Sequence, residues 1–178
     1  NEEVVLMTAS LARLLRQSIS IENELVTIGQ EIEYVRSYLT IQKMRYKDKL
    51  EFEINVDPRI THAQIIRLVL QPIVENAIYH GLKYKESKGM LKVHGYELGE
   101  RIIIDITDDG VGMDEETLKH IYDKHKVNYH SNGVGVYNVQ QRLVLYYGKE
   151  YGIIYHSEKG KGTTATVVIP KKQEDVHE

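Results

Sequence analysis

The hydrophobic pattern of this chain predicts an α+β fold, one layer of helices on a mixed β-sheet, preceded by a helical segment. Three observations carry that prediction. Up to residue 47 apolar residues recur at helical spacing, and from about residue 50 they alternate with polar ones. The later strands are not separated by the regular crossover helices of a doubly wound parallel sheet. With 178 residues and 42% hydrophobic content, the chain can bury one good core, or a core and a small appendage. The pattern divides it into a helical region over 1–47, a mixed domain over 48–171 and a charged tail over 172–178.

In the first 20 residues Met7, Leu11, Leu14 and Leu15 form an apolar stripe, with Arg13 and Arg16 between them. Thr27 and Gln30 are spaced as a capping box for a second helix, whose stripe is Ile28, Ile32, Val35 and Leu39, running on toward Tyr46. Two such helices carry more apolar surface than a lone hairpin can hide. They pack either on the mixed region or on a second copy of the chain. Phe52, Ile54 and Val56 alternate with polar residues, as a strand that stops at Asp57-Pro58. A helical stretch follows with Ile66, Val69, Ile73 and Ala77 on one side, and Pro72 either kinks it or marks a restart. Strands are expected over 90–97 and 101–107, joined by Leu98-Gly99-Glu100, the isoleucine-rich second one lying centrally. Residues 113–132 read as a mobile polar loop with one short helix. Residues 134–147 read as a helix with Val136, Val139, Leu143 and Tyr146 inward, and 151–157 with 163–169 as a closing hairpin. The tail after Pro170 is charged and expected to fray.

The bulk numbers exclude more than they assign. A net charge of −3 and a pI near 6.3 give no electrostatic case for nucleic acid. With no cysteine, disulfides and thiolate metal sites are ruled out, and the redox compartment is unreadable. No apolar run approaches the roughly 20 residues that span a bilayer, and no signal peptide is visible. The composition is that of an intracellular chain with no membrane contact of its own. It opens on Asn1 inside a helical pattern, which reads as a piece of something longer.

Three frames carry chemistry, and their order matters more than any one alone. In Asp108-Asp109-Gly110-Val111-Gly112 a carboxylate precedes two spaced glycines. A buried carboxylate accepts from the exocyclic amine of adenine. Guanine would set a carbonyl against it, leaving polar groups unpaired. Gly110 and Gly112 let the backbone turn sharply and approach a base closely, although Asp-Gly also ends strands on its own. In Gln71-Pro72-Ile73-Val74-Glu75-Asn76-Ala77-Ile78-Tyr79-His80-Gly81, Asn76 interrupts an apolar helix. Its neutral amide oxygen suits Mg²⁺, which keeps most of its waters and takes few protein ligands beside phosphate oxygens. Glu75 adjoins it as the candidate catalytic residue, suited to orienting a water, and His80, one turn on, faces the same way toward phosphate. The plain alternatives are an Asn76 that pairs with backbone and a His80-Gly81 that simply ends the helix. Gly133-Val134-Gly135-Val136 opens a helix whose first amides favour anions. It is neither a Walker loop nor a dinucleotide fingerprint. Lys119, Lys124 and Lys126 precede it in a lid-like stretch, as screens for phosphate charge or as a solvated loop. Thr163, after Gly160-Lys161-Gly162, offers a hydroxyl for a water-mediated contact to adenine, in a turn whose glycines a hairpin explains fully.

In this order the frames resemble the GHKL superfamily of histidine kinases, gyrase, Hsp90-type chaperones and MutL. Glu75-Asn76-Ala77 through His80-Gly81 resembles its N box, Asp108 to Gly112 the first glycine box, Gly133 to Val136 the second, and Gly162-Thr163 the last glycine-threonine element. Leu70 to Ala77, Leu14-Leu15-Arg16, Glu31 to Leu39 and Gly133 through Arg142-Leu143 narrow the resemblance to LytS/YehU-type sensor histidine kinases. The resemblance implies a Bergerat-type two-layer sandwich with ATP between lid and sheet and Mg²⁺ on Asn76. Asn76, His80, Asp108, Gly110, Gly112, Gly133, Val134, Gly135, Val136 and Thr163 would contact the nucleotide. It also implies autophosphorylation of a histidine and transfer to an aspartate of a response regulator, typically of the LytTR DNA-binding kind. Residues 1–47 would then be the end of the dimerisation and phosphoacceptor helices with a linker helix, homodimeric in the full protein. The whole would be the cytoplasmic part of a membrane-anchored bacterial sensor. Two features depart from the family. Its phosphoacceptor lies in a Pro-His-Phe element before Leu-Leu-Arg, and none of the eight histidines here has that context, so the chain reads as starting after it. Position 79 is Tyr where the family often has Lys. Gyrase-like ATPases carry a catalytic Glu where this chain has Pro72, which points to an external acceptor rather than to water. The rival classes are a stand-alone or chaperone-like GHKL ATPase, an anti-sigma-type serine kinase, and a non-enzymatic interaction module.

Overall fold

A computed structural model of the chain describes residues 4–5, 7–12, 24–121 and 133–172. Helical residues over 4–5 and 7–12 precede a short strand β1 (Leu25–Thr27) and the long helix α1 (Ile28–Tyr46). The mixed region holds β2 (Leu50–Val56), β3 (Gln64–Ile66), α2 (Leu70–Asn76), β4 (Gly89–Leu98), β5 (Arg101–Asp108), α3 (Glu115–Lys119), α4 (Gly133–Tyr147), β6 (Gly152–Glu158) and β7 (Gly162–Pro170).

α1 starts where the capping box places it. Thr27 Oγ1 accepts from the Gln30 amide at 3.1 Å, and Gln30 Oε1 accepts from the Thr27 amide at 2.8 Å. Thr27→Ala removes one half of that exchange and is expected to cost about 1 kcal/mol, read in a thermal melt as a fall of about 2–4 °C for a chain of this size. The stripe Ile28, Ile32, Val35 and Leu39 is buried in the chain's own core. Of the two packing arrangements open from sequence, α1 therefore takes the one on the mixed region. Met7 and Leu11 remain exposed, and Leu14 and Leu15 lie outside the described residues.

Five strands form one sheet in the order β2-β4-β5-β7-β6. β2 runs parallel to β4, and every other pairing is antiparallel. Parallel neighbours need a crossover, and here it carries β3 and α2 across the sheet. The isoleucine-rich β5 is central, with Ile102, Ile104 and Ile106 turned into the core beneath α1, α2 and α4.

The expected helix through Ile66 is corrected. Ile65 and Ile66 lie in β3, which pairs antiparallel with β1, and helix begins only at Leu70. The open edge of β1 offers backbone partners to two β-branched residues, and that pairing overrides a helical spacing. Pro72 then falls in the first turn of α2, where its missing N–H leaves no bond unmade. At its far end α2 widens into a π turn over Ala77–Leu82, with Lys83 N–H reaching Ile78 O at 2.9 Å.

Candidate functional site

A cleft of about 590 Å³ opens between α2 with its π turn, the ends of β5 and β7, and α3. Ile73, Ala77, Ile106, Tyr155 and Ala165 supply its apolar walls, and Asn76, His80, Asp108 and Thr163 its polar points. Alternation puts Ile106 and Asp108 on the same face of β5, so the side that builds the core also ends in an acid.

Asp108 is only 4% exposed. Its Oδ1 accepts from the Gly110 amide at 2.9 Å, and the Thr163 amide on the paired strand also serves the carboxylate. Burial, with the charge of Asp109, pushes it up to about 6 against the pull of those amides and Lys85. Asp109 does different work. It is exposed, its Oδ1 accepts from Met90 N at 2.8 Å, and its Oδ2 pairs with Lys85 Nζ at 2.7 Å. One acid anchors the start of β4 and the other is held in the cleft wall.

The backbone around Asp108 is packed too tightly for side chains. A methyl on Gly110 would overlap the carbonyl of Gly81, whose oxygen accepts from Val111 N at 3.1 Å. Gly112 has φ +64°, and a methyl there would overlap the carbonyl of Glu158. The turn after β6 is tied to the segment that follows β5 by Ser157, whose Oγ accepts from Met113 N at 2.8 Å, donates to Gly162 O at 3.0 Å and meets Thr163 Oγ1 at 2.9 Å.

On the helix side, Asn76 Oδ1 is fully buried with no hydrogen-bond partner among the described residues. A buried amide oxygen left without a donor fits a metal ion bound with phosphate oxygens. His80 lies one turn on in the cleft wall, its imidazole pulled below its ordinary value by burial and by Lys83. Tyr79, where a lysine is expected by resemblance, carries the Lys83 ammonium 4.2 Å from its ring centroid. Glu75 is not in the cleft lining; its Oε1 accepts from Gln71 Nε2 at 2.6 Å. Gly133, Val134, Gly135 and Val136 open α4, with Val136 fully buried in the core and Gly135 facing Pro72. Lys119 points outward and pairs with Glu115, and Lys124 and Lys126 lie outside the described residues.

Asn76, His80, Asp108, Gly112 and Thr163 thus meet at one cleft. Sequence reasoning did not single out its apolar walls. Ile73, Ile106 and Ala165 carry no signal beyond core periodicity. Ser157 is a polar residue in an outer hairpin strand that only the register reveals.

The cleft is divided between a sheet wall that carries a buried acid and a helix wall that carries a buried amide oxygen, a layout suited to a nucleotide-binding domain. The model of the histidine kinase-, DNA gyrase B- and HSP90-like ATPases matches residues 61–173, and that of the histidine kinases matches residues 1–50. Among curated proteins, the sensor histidine kinase YesM of Bacillus subtilis is 33% identical over 98% of this chain and 29% of its own length. The sensor protein LytS of Oceanobacillus iheyensis is 31% identical over 90% of this chain and 28% of its own length. The chain therefore spans about three tenths of the length of these relatives. The catalytic domain of histidine kinase ThkA superposes with a TM-score of 0.64 at 14% identity, covering 84% of this chain and 99% of that one. The histidine kinase domain of a blue-light activated kinase from Erythrobacter litoralis superposes at 0.59 and 16% identity, covering 94% and 74%. At those identities the structures speak for the fold. The chain belongs to the histidine kinase-, DNA gyrase B- and HSP90-like ATPase family, and its fold is that of a histidine kinase catalytic domain. Membership implies that it binds ATP. Among the described residues no helix is long and apolar enough to cross a membrane.

Proposed function

We propose that residues 48–171 are the ATP-binding catalytic unit of a two-component sensor histidine kinase. Residues 1–47 are then the end of its dimerisation and phosphoacceptor hairpin, with the linker helix α1. The observation that carries this reading is the pairing of two buried groups across one cleft, the Asp108 carboxylate and the Asn76 oxygen, which has no partner among the described residues. Asp108 accepts from the adenine amine. Asn76 holds Mg²⁺, with His80 and the first amides of α4 at Gly133, Val134, Gly135 and Val136 facing the phosphates. Mg·ATP supplies the phosphoryl group, and the protein's part is positioning and charge neutralisation. Glu75, tied to Gln71, acts by fixing the α2 face beside Asn76. The acceptor is a neutral histidine on the helical hairpin, and the phosphoryl group passes on to an aspartate of a response regulator, of the LytTR type by resemblance. Dimerisation through the N-terminal helices and attachment to a membrane sensor belong to the same reading. The similarity to the sensor kinases YesM and LytS supports the sensor role.

The test is incubation with radiolabelled ATP, with and without a separately supplied hairpin carrying a histidine in a Pro-His-Phe element. Label on the hairpin alone is expected. Strong labelling of this chain by itself, or rapid phosphate release with no acceptor, contradicts the reading. Asn76→Ala should keep adenosine affinity within about threefold while abolishing the gain that Mg²⁺ gives to ATP binding. Calorimetry with and without Mg²⁺ measures both.

A further inference from the structure

Glu31 lies in the first turn of α1, outside the cleft lining, yet it is only 4% exposed. An isolated buried carboxylate is costly, so it needs strong partners. It has three, all backbone amides at the start of α2: Leu68 at 2.8 Å, Val69 at 3.0 Å and Leu70 at 3.1 Å. The first amides of a helix lack intrahelical acceptors, and the residue in the capping position here is Val69, whose apolar side chain cannot accept a hydrogen bond. The cap for α2 is therefore delivered from another helix. The turn it serves is strained, since Leu68 has φ +59°, a conformation that costs a leucine about 1 kcal/mol. Arg142 of α4 closes the arrangement from the other side. It donates to Arg67 O at 2.8 Å, and its charge counters the upward push of burial on Glu31.

The direction of this linkage matters. α2 runs from the amides that Glu31 holds to Asn76 at its other end. Asp108 is on β5 and takes its hydrogen bonds from the Gly110 and Thr163 amides, not from α2, although the turn after it touches Gly81 at the far end of the π turn. We infer that Glu31 is a positioning residue of the nucleotide site, by which the linker helix α1 sets the start of α2 and hence where Asn76 meets the metal-bound phosphates. A shift of α1 would then change grip on the triphosphate while leaving the adenine contact in place. The inference rests on the proposed role of Asn76.

Calorimetry on the full chain with adenosine and with Mg·ATP, together with hydrogen exchange at the Leu68–Leu70 amides, tests it. Glu31→Ala should lose exchange protection at those amides and weaken Mg·ATP about tenfold, the scale of a lost helix cap. Adenosine affinity should stay within about twofold. Glu31→Gln keeps an acceptor oxygen and should recover most of the Mg·ATP loss, to within about threefold of the parent. Should Glu31→Ala not fold, the same split in Glu31→Gln, Mg·ATP weakened and adenosine unchanged, carries the inference. Equal losses for both ligands, unchanged Mg·ATP affinity in Glu31→Ala, or no recovery in Glu31→Gln overturns it alone. A parent chain that binds neither ligand overturns the nucleotide reading and this inference with it.

Discussion

Replacing Asp108 with asparagine is expected to weaken ATP about 100-fold and, at the same time, to stabilise the nucleotide-free chain. The first effect follows from chemistry. Asparagine turned so that its oxygen keeps the Gly110 N–H presents an NH₂ where the adenine amine needs an acceptor. The second follows from burial. The carboxyl is pushed from 3.8 up to about 6, so the folded chain holds its proton more tightly than the unfolded chain does. Its contribution to stability is therefore present below about pH 4 and is lost as pH rises through about 6. At pH 7.5 the ionised group costs the fold up to roughly 3 kcal/mol. Asparagine relieves part of that, because the Thr163 amide loses its charged partner. A gain of about 1–2 kcal/mol is expected, read as about 3–6 °C in melting temperature, and it should vanish at pH 4. Melts at the two pH values measure it. A variant no more stable at pH 7.5 than at pH 4, relative to the parent, would mean that Asp108 is not strained by burial. The same titration predicts that the parent's own ATP affinity falls as pH drops below about 6.

Gly110→Ala should be strongly damaging, as should a methyl at Gly112 or Gly162, where backbone also approaches too closely for a side chain. At Gly110 the added carbon would overlap the Gly81 carbonyl, and it sits on the residue whose amide holds Asp108. The nearest atoms are all Gly81 backbone and cannot swing aside, so a loss of about 3 kcal/mol or more is expected. That corresponds to a fall of roughly 6–12 °C in melting temperature, with ATP binding lost in whatever remains folded. Gly99→Ala is the control. Its φ is +60°, but nothing lies within 4 Å, so only the conformational term of about 1 kcal/mol applies. Similar losses in the two variants would show that close approach to Gly81 is not what Gly110 is for.

How far the sequence led differs from residue to residue, for physical reasons. Thr27 and Gln30 were legible because a capping box is local, and β5 was legible because an isoleucine run has few places but a sheet centre. Asp108 was legible through its glycines, and the structure adds what sets it apart from Asp109, namely which face of the strand each one leaves on. Ile66 misled because helical spacing and a two-stranded pairing compete over three residues, and the partner strand lies some 40 positions away. The Glu31 cap was illegible for the same reason: its donors are 37 to 39 residues downstream, and nothing near Val69 announces that its helix needs an acceptor from elsewhere. Glu75 stood beside Asn76 in sequence, but a helix turns neighbours about 100° apart, and it faces Gln71 instead.

The most direct measurement is a calorimetric comparison of ATP with inosine triphosphate, which differ at the base by an amine exchanged for a carbonyl oxygen. Recognition by a buried carboxylate predicts that the inosine nucleotide binds about 100-fold more weakly to the parent, and that Asp108→Asn removes most of this preference. Equal affinities for the two nucleotides in the parent chain would contradict it.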